Sequence, residues 1–166
     1  MALVVEDGTG VATAESYVSL ADFKSYRPRG GLSIPASATD SELEAALIRG
    51  SAAVDAIYGD RWPKNSVRMT PTQVFDWPRS YAWDKDWEPL VGVPTAIKGM
   101  TYEAALVEAN NPGELSAKAE VGIKSDSVGS LQTVYAGSSS VRPYAYPAIT
   151  AWGARLLRGG STMGRS

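Results

Sequence analysis

The sequence predicts a mainly α-helical protein: a small bundle of about four helices with a long inserted loop, a β-hairpin and an extended C-terminal arm. Three observations lead there. Apolar residues recur at helical spacing behind a capping box at Thr39, prolines and tryptophans crowd residues 60–93, and the spacing switches to alternation within residues 118–136. The 166 residues suit one domain, and 44% hydrophobic with 20% charged residues is the composition of a folded chain. Residues 1–158 read as a single domain and 159–166 as the arm.

Leu3-Val4-Val5 reads as a short strand closed by the turn signal Asp7-Gly8-Thr9-Gly10. Ser19 and Asp22 have the form of a capping box, and Val18 and Phe23 stand at the positions of a hydrophobic staple. The helix they start must be short, because Pro28 and Gly30-Gly31 follow. The clearest helix begins at Thr39, with Glu42 completing its box. Leu43, Ala46, Leu47, Gly50, Val54, Ile57 and Tyr58 form its apolar stripe, and Glu44, Arg49, Ser51 and Asp55 its polar face. Gly59 is placed to end it as a C′ residue.

Pro63, Pro71, Pro78 and Pro89 forbid a long helix through residues 60–93, and Trp62, Trp77, Trp83 and Trp87 argue that this loop is ordered. Pro94 suits the first position of a third helix, with Ile97, Met100, Ala104 and Val107 as its stripe and Asn110-Asn111-Pro112-Gly113 as its end. Gly99 inside it costs roughly 1 kcal/mol against alanine and puts its straightness in question. Val121 and Ile123, then Leu131, Thr133 and Tyr135, alternate around Ser127-Val128-Gly129-Ser130, which reads as a hairpin. After the Gly137–Ser140 break, Pro147 opens a last helix bearing Ile149, Trp152, Leu156 and Leu157. The tail from Gly159 carries nothing with which to fold on itself.

Composition removes whole classes of chemistry. Without cysteine there is no disulfide, thiolate metal site or thiol nucleophile, and without histidine no imidazole base or ligand. A net charge of −2 gives no global attraction to nucleic acid or to an anionic membrane. No stretch approaches the roughly 20 apolar residues of a membrane span, and the N-terminus lacks a signal-peptide pattern. The expectation is a soluble, cytosolically made, non-catalytic protein with no metal and no cofactor.

The remaining constellations divide the same way. Asp84, Asp86 and Glu88 alternate but lack the glycine and distant glutamate of a calcium loop, so they read as a solvated loop. Gly8-Thr9-Gly10 lacks the third glycine of a dinucleotide loop, and Ser138–Ser140 lack a nucleophile elbow. The aromatic–basic loop is the serious candidate. Arg61-Trp62, Lys64, Arg68, Trp77-Pro78-Arg79 and Tyr81 interleave cations with rings, as single-strand binders do. The same residues suit a covered helix core or a subunit contact, and the acids nearby favour that structural reading.

The order of elements resembles the small head–tail adaptor (connector) proteins of tailed bacteriophages, a group labelled DnaT-like single-stranded-DNA-binding. The likeness rests on Glu15–Ser19 with Ala21-Asp22, Glu44–Arg49 through Asp55, Arg61-Trp62, Trp77-Pro78-Arg79, Val93-Pro94, Gly122–Ser125 with Val128-Gly129, and Tyr146-Pro147-Ala148. It implies a virion neck protein, made in the bacterial host cytoplasm, that forms a ring of commonly twelve copies. The ring would join the portal to a stopper or tail-completion protein and pass double-stranded DNA without reading its sequence. The portal-binding arm would comprise Arg155, Arg158, Gly159, Gly160, Ser161, Thr162, Met163, Gly164, Arg165 and Ser166. Trp62, Trp77, Arg79, Tyr81, Trp83, Trp87, Ile123 and Tyr135 would make subunit and partner contacts. The alternative is a single-stranded-DNA-binding accessory protein of phage replication.

Overall fold

A computed structural model describes residues 3–28, 31–116, 125–128, 131–134 and 146–157. Within them the protein is mainly α-helical. Its four helices are α1 (Leu20–Ser25), α2 (Asp40–Tyr58), α3 (Thr95–Asn110) and α4 (Pro147–Gly153). Two antiparallel strand pairs accompany them: β1 (Val67–Arg68) with β2 (Arg79–Ser80), and β3 (Ser125–Val128) with β4 (Leu131–Val134).

The α2–α3 pair is the centre of the fold, with α1 against α2 and α4 against α3. Both halves of the α2 capping box form. The Thr39 side chain accepts from the Glu42 N–H at 3.4 Å, and the Glu42 carboxylate accepts from the Thr39 N–H at 2.8 Å. Leu43, Leu47 and Val54 of α2 then meet Ile97, Met100 and Ala104 of α3 in one core. Gly50 sets how closely the helices cross: a Cβ there would lie 2.8 Å from the Ala105 nitrogen. The α1 staple is in place, with Val18 and Phe23 buried. Ser19 caps α1 by accepting from the Asp22 N–H at 3.1 Å, and its hydroxyl donates to the Asp22 carboxylate at 2.7 Å.

Gly99 answers a packing need. A Cβ at that position would fall inside the Trp152 indole, so the missing side chain lets α4 lie directly on α3. The Trp152 N–H donates to the Tyr26 hydroxyl at 3.0 Å, which in turn donates to the buried Glu103 at 2.7 Å. One indole thus ties the last helix to the segment after the first.

Several expectations shift. Leu3–Val5 makes a single bridge, Val5 to Ser16, and not a strand. The cause is Glu6, whose buried carboxylate accepts from the N–H groups of Gly8 and Gly10 at 2.9 Å and Val11 at 2.8 Å, curling the chain around itself. Gly59 does not adopt the left-handed cap; its φ is −50° and the chain runs on into a 3-10 turn, Gly59–Arg61, that delivers Trp62 to the core. Pro94 precedes α3 as its cap, and α4 ends at Gly153, with Leu156 and Leu157 buried in the turn beyond. The polar face of α2 is largely covered. Ser51 is buried against Ser16 and Tyr17, and Arg49 donates to the buried Glu108 at 2.7 Å. In the hairpin, Ser127 and Val128 belong to a strand, leaving two residues between β3 and β4. Residues 118–124, 129–130 and 135–136 of the expected hairpin lie outside the described residues.

Candidate nucleic-acid interface

The first half of the loop is built into the fold. Trp62 and Trp77 meet edge to face, with centroids 6.0 Å apart, and are 3% and 0% exposed. The Trp62 ring N–H donates to Asp76 at 2.9 Å. The Trp77 backbone N–H donates to the Tyr17 hydroxyl at 3.1 Å, which donates to the Asp55 carboxylate at 2.7 Å. Asp55 also accepts from the Asp76 N–H at 2.8 Å. Burial pushes the Asp55 carboxyl up to about 7 and raises the Tyr17 phenol. Arg79 is spent locally, donating to the Ser66 hydroxyl and carbonyl at 2.7 Å each and to the Asp76 carbonyl at 3.3 Å. Gln73 braces the same turn by donating to the carbonyls of Phe75 and Pro78 at 2.8 and 3.0 Å.

The second half is different. Its closing bonds run from the Leu90 N–H to the Ala82 carbonyl at 2.9 Å and from the Asp84 N–H to the Glu88 carbonyl at 3.0 Å, with a Trp83–Pro89 bridge between. At the tip, one Asp84 oxygen accepts from the N–H groups of Asp86 and Glu88 at 2.8 and 3.0 Å. The Glu88 N–H, with help from Asp86 and Arg155, holds the Asp84 carboxyl below its ordinary range. On this fixed turn the rings point outward: Tyr81 is 76% exposed, Trp83 47% and Trp87 80%. Tyr81 and Trp87 have φ of 58° and 64°, a left-handed conformation bulky residues rarely adopt. Large rings held in water by a strained, hydrogen-bonded turn mark an interaction surface.

Charge at this surface comes from two directions. Arg155, just past α4, pairs with Asp86 and lies 3.4 Å from the Asp84 carboxylate. The Lys85 N–H donates to the Arg155 carbonyl at 3.2 Å, and its ammonium donates to the Ala154 carbonyl. The alternating acids therefore hold a turn and a cation. Among the described residues, no group of potential ligands is gathered closely enough to hold a metal.

The candidate contact residues thus separate. Trp62, Trp77 and Arg79, expected to meet a partner, are turned into the chain: the two rings are buried against each other and Arg79 is bonded to Ser66 and Asp76, although the buried Trp77 ring N–H has no acceptor among the described residues. Tyr81, Trp83 and Trp87 are all exposed along one turn. Ile123, Tyr135, Arg158 and residues 159–166 lie outside the described residues. Sequence reasoning missed Asp55, Gln73 and the Arg155–Asp86 pair. For the Arg155–Asp86 pair the available signal was opposite charge at a long sequence separation; Asp55 and Gln73 bond a hydroxyl and backbone groups, which leave no such mark.

A family model described as "Putative DnaT-like ssDNA binding protein" matches residues 1–166. No curated protein matches, and no solved structure does. The family's description names single-stranded DNA and nothing in it names a head–tail adaptor, which corrects the expected neck protein. The ring of copies, the portal and stopper partners, the passage of double-stranded DNA and the portal-binding arm go with it. The short motifs that suggested an adaptor are marks of a fold, and a fold does not specify what is bound. No described helix is long and apolar enough to cross a membrane.

Proposed function

Because the chain belongs to the DnaT-like single-stranded-DNA-binding family, we propose that it is a non-catalytic protein that binds single-stranded DNA on the turn bearing Tyr81, Trp83 and Trp87. The observation that carries this reading is the exposure of three rings on a turn whose backbone is already fixed. Unpaired bases stack on such rings whatever their identity, and a pre-formed platform loses little entropy on binding. The distribution of charge supports it. The first 116 residues carry ten basic and sixteen acidic side chains, whereas the last fifty carry six basic and two acidic. A weakly acidic protein thereby contains a basic end suited to phosphates, a partition typical of nucleic-acid-binding chains.

The test is fluorescence anisotropy with a labelled oligothymidylate. The intact protein binds at low salt and weakens as salt rises, and a duplex of equal length competes poorly. Trp87→Ala lowers affinity by roughly 1–3 kcal/mol, the contribution of one stacked base. Absence of binding at low salt, or binding that Trp87→Ala leaves untouched, overturns the assignment to this turn.

A further inference from the structure

The aromatic turn is not a bare cationic platform. The guanidinium of Arg155 meets its tip, paired with the Asp86 carboxylate and 3.4 Å from that of Asp84. Both side chains face water, Arg155 at 66% and Asp86 at 62% exposed. An ion pair this exposed contributes little to stability, so it opens readily. Asp86 also sits beside Trp87 in the chain, and its carboxylate meets only Arg155 among the described residues. A base stacked on Trp87 brings its own phosphate towards this position, and the planar guanidinium that accommodates a carboxylate accommodates phosphate oxygens equally well.

Resting on the proposed function, we infer that Asp86 and Arg155 are an exchangeable pair that makes the interface selective for single strands: a bound strand takes Arg155 from Asp86. The exchange replaces one anion by another, so a phosphate arriving alone gains almost nothing. A duplex presents phosphates but keeps its base faces stacked inside, and Asp86 repels it. A single strand adds the stacking of a base on Trp87, which tips the exchange. Asp86 therefore sets selectivity, and Arg155 is the phosphate contact it guards.

A double-mutant cycle tests this with Asp86→Asn, Arg155→Ala and their combination, measured against oligothymidylate and against duplex of the same length. Asp84 is left intact because it ties the turn. Asp86→Asn tightens binding by about two- to fivefold, the range of one exposed pair, and tightens duplex more than single strand, so selectivity falls. Arg155→Ala weakens single-strand binding, and weakens it more in the Asp86→Asn background, where the guanidinium keeps only its longer contact with Asp84, than in the wild type. A brace that merely positions the turn gives the reverse: the effect of Arg155→Ala shrinks once Asp86 is gone, and that result overturns the inference. So does a duplex affinity indifferent to Asp86→Asn. In either case a wild-type protein that still binds single strands through Trp87 leaves the proposed function standing, whereas absence of wild-type binding removes both.

Discussion

Asp55 accepts from the Tyr17 hydroxyl and the Asp76 N–H in a largely buried position, and burial raises its carboxyl to about 7. In the unfolded chain it returns to about 3.9. Between those values the folded protein keeps a proton that the unfolded chain releases. The stability this group contributes is complete below the window and is lost as pH rises through it, by at most about 1.4 kcal/mol per pH unit. Asp7, Glu42 and Asp84, held low by hydrogen bonds from Thr9, Thr39 and Glu88, act outside that window: what they contribute is lost as pH falls below the ordinary carboxyl range. The melting temperature should therefore fall between pH 5 and pH 7. Asp55→Asn, a neutral isostere, should flatten that decline, and an unchanged slope in differential scanning calorimetry would exclude Asp55 as its source. Helical spacing placed Asp55 on the polar face of α2; it carried no information about the loop that closes over that face.

At the scale of elements, glycine and tryptophan decide how α4 meets α3. In an exposed helix, Gly→Ala gains roughly 1 kcal/mol. At Gly99 the added methyl must displace the Trp152 indole, so the sign reverses. Gly99→Ala should destabilise the protein by roughly 1–3 kcal/mol, the cost of overpacking, read as a lower urea midpoint at unchanged m. A stabilised variant would refute the contact. This pair also shows what local patterns convey. The capping box at Thr39, the staple at Val18 and Phe23, and the proline opening α4 each announced an element, because each acts within a few residues of itself. Gly99 announced only a weak helix, since its partner lies more than fifty residues on. The loop likewise declared its tryptophans but not their sorting. Trp62 and Trp77 differ from Trp83 and Trp87 in what packs against them, which composition does not record.

For the whole molecule, net charge hides how the charge is distributed along the chain. A value of −2 argued against nucleic acid, yet it conceals an acidic main part and a basic end. Because counterion release depends on cations at the contact and not on the total, affinity can be salt-sensitive in an acidic protein. Removing residues 158–166 takes away Arg158 and Arg165. If both meet phosphates, the slope of log K against log salt for single-stranded DNA should become shallower by about 1.4, at roughly 0.7 per contact. An unchanged slope would place the phosphate contacts elsewhere in the chain. The resemblance read from the ordered motifs pointed to a head–tail adaptor, which the family match overturns. Motif order follows the fold, whereas the partner is chosen by a few side chains at one surface.

The division of the tryptophans has an optical consequence. Trp62 and Trp77, sealed in the interior, and Trp152, partly buried against the core, should emit further to the blue than Trp83 and Trp87, which stand in solvent. The red edge of the native spectrum therefore belongs mainly to the turn and the blue edge mainly to the core. The two regions can be watched separately in one unlabelled sample, occupancy of the surface at one wavelength and integrity of the interior at another.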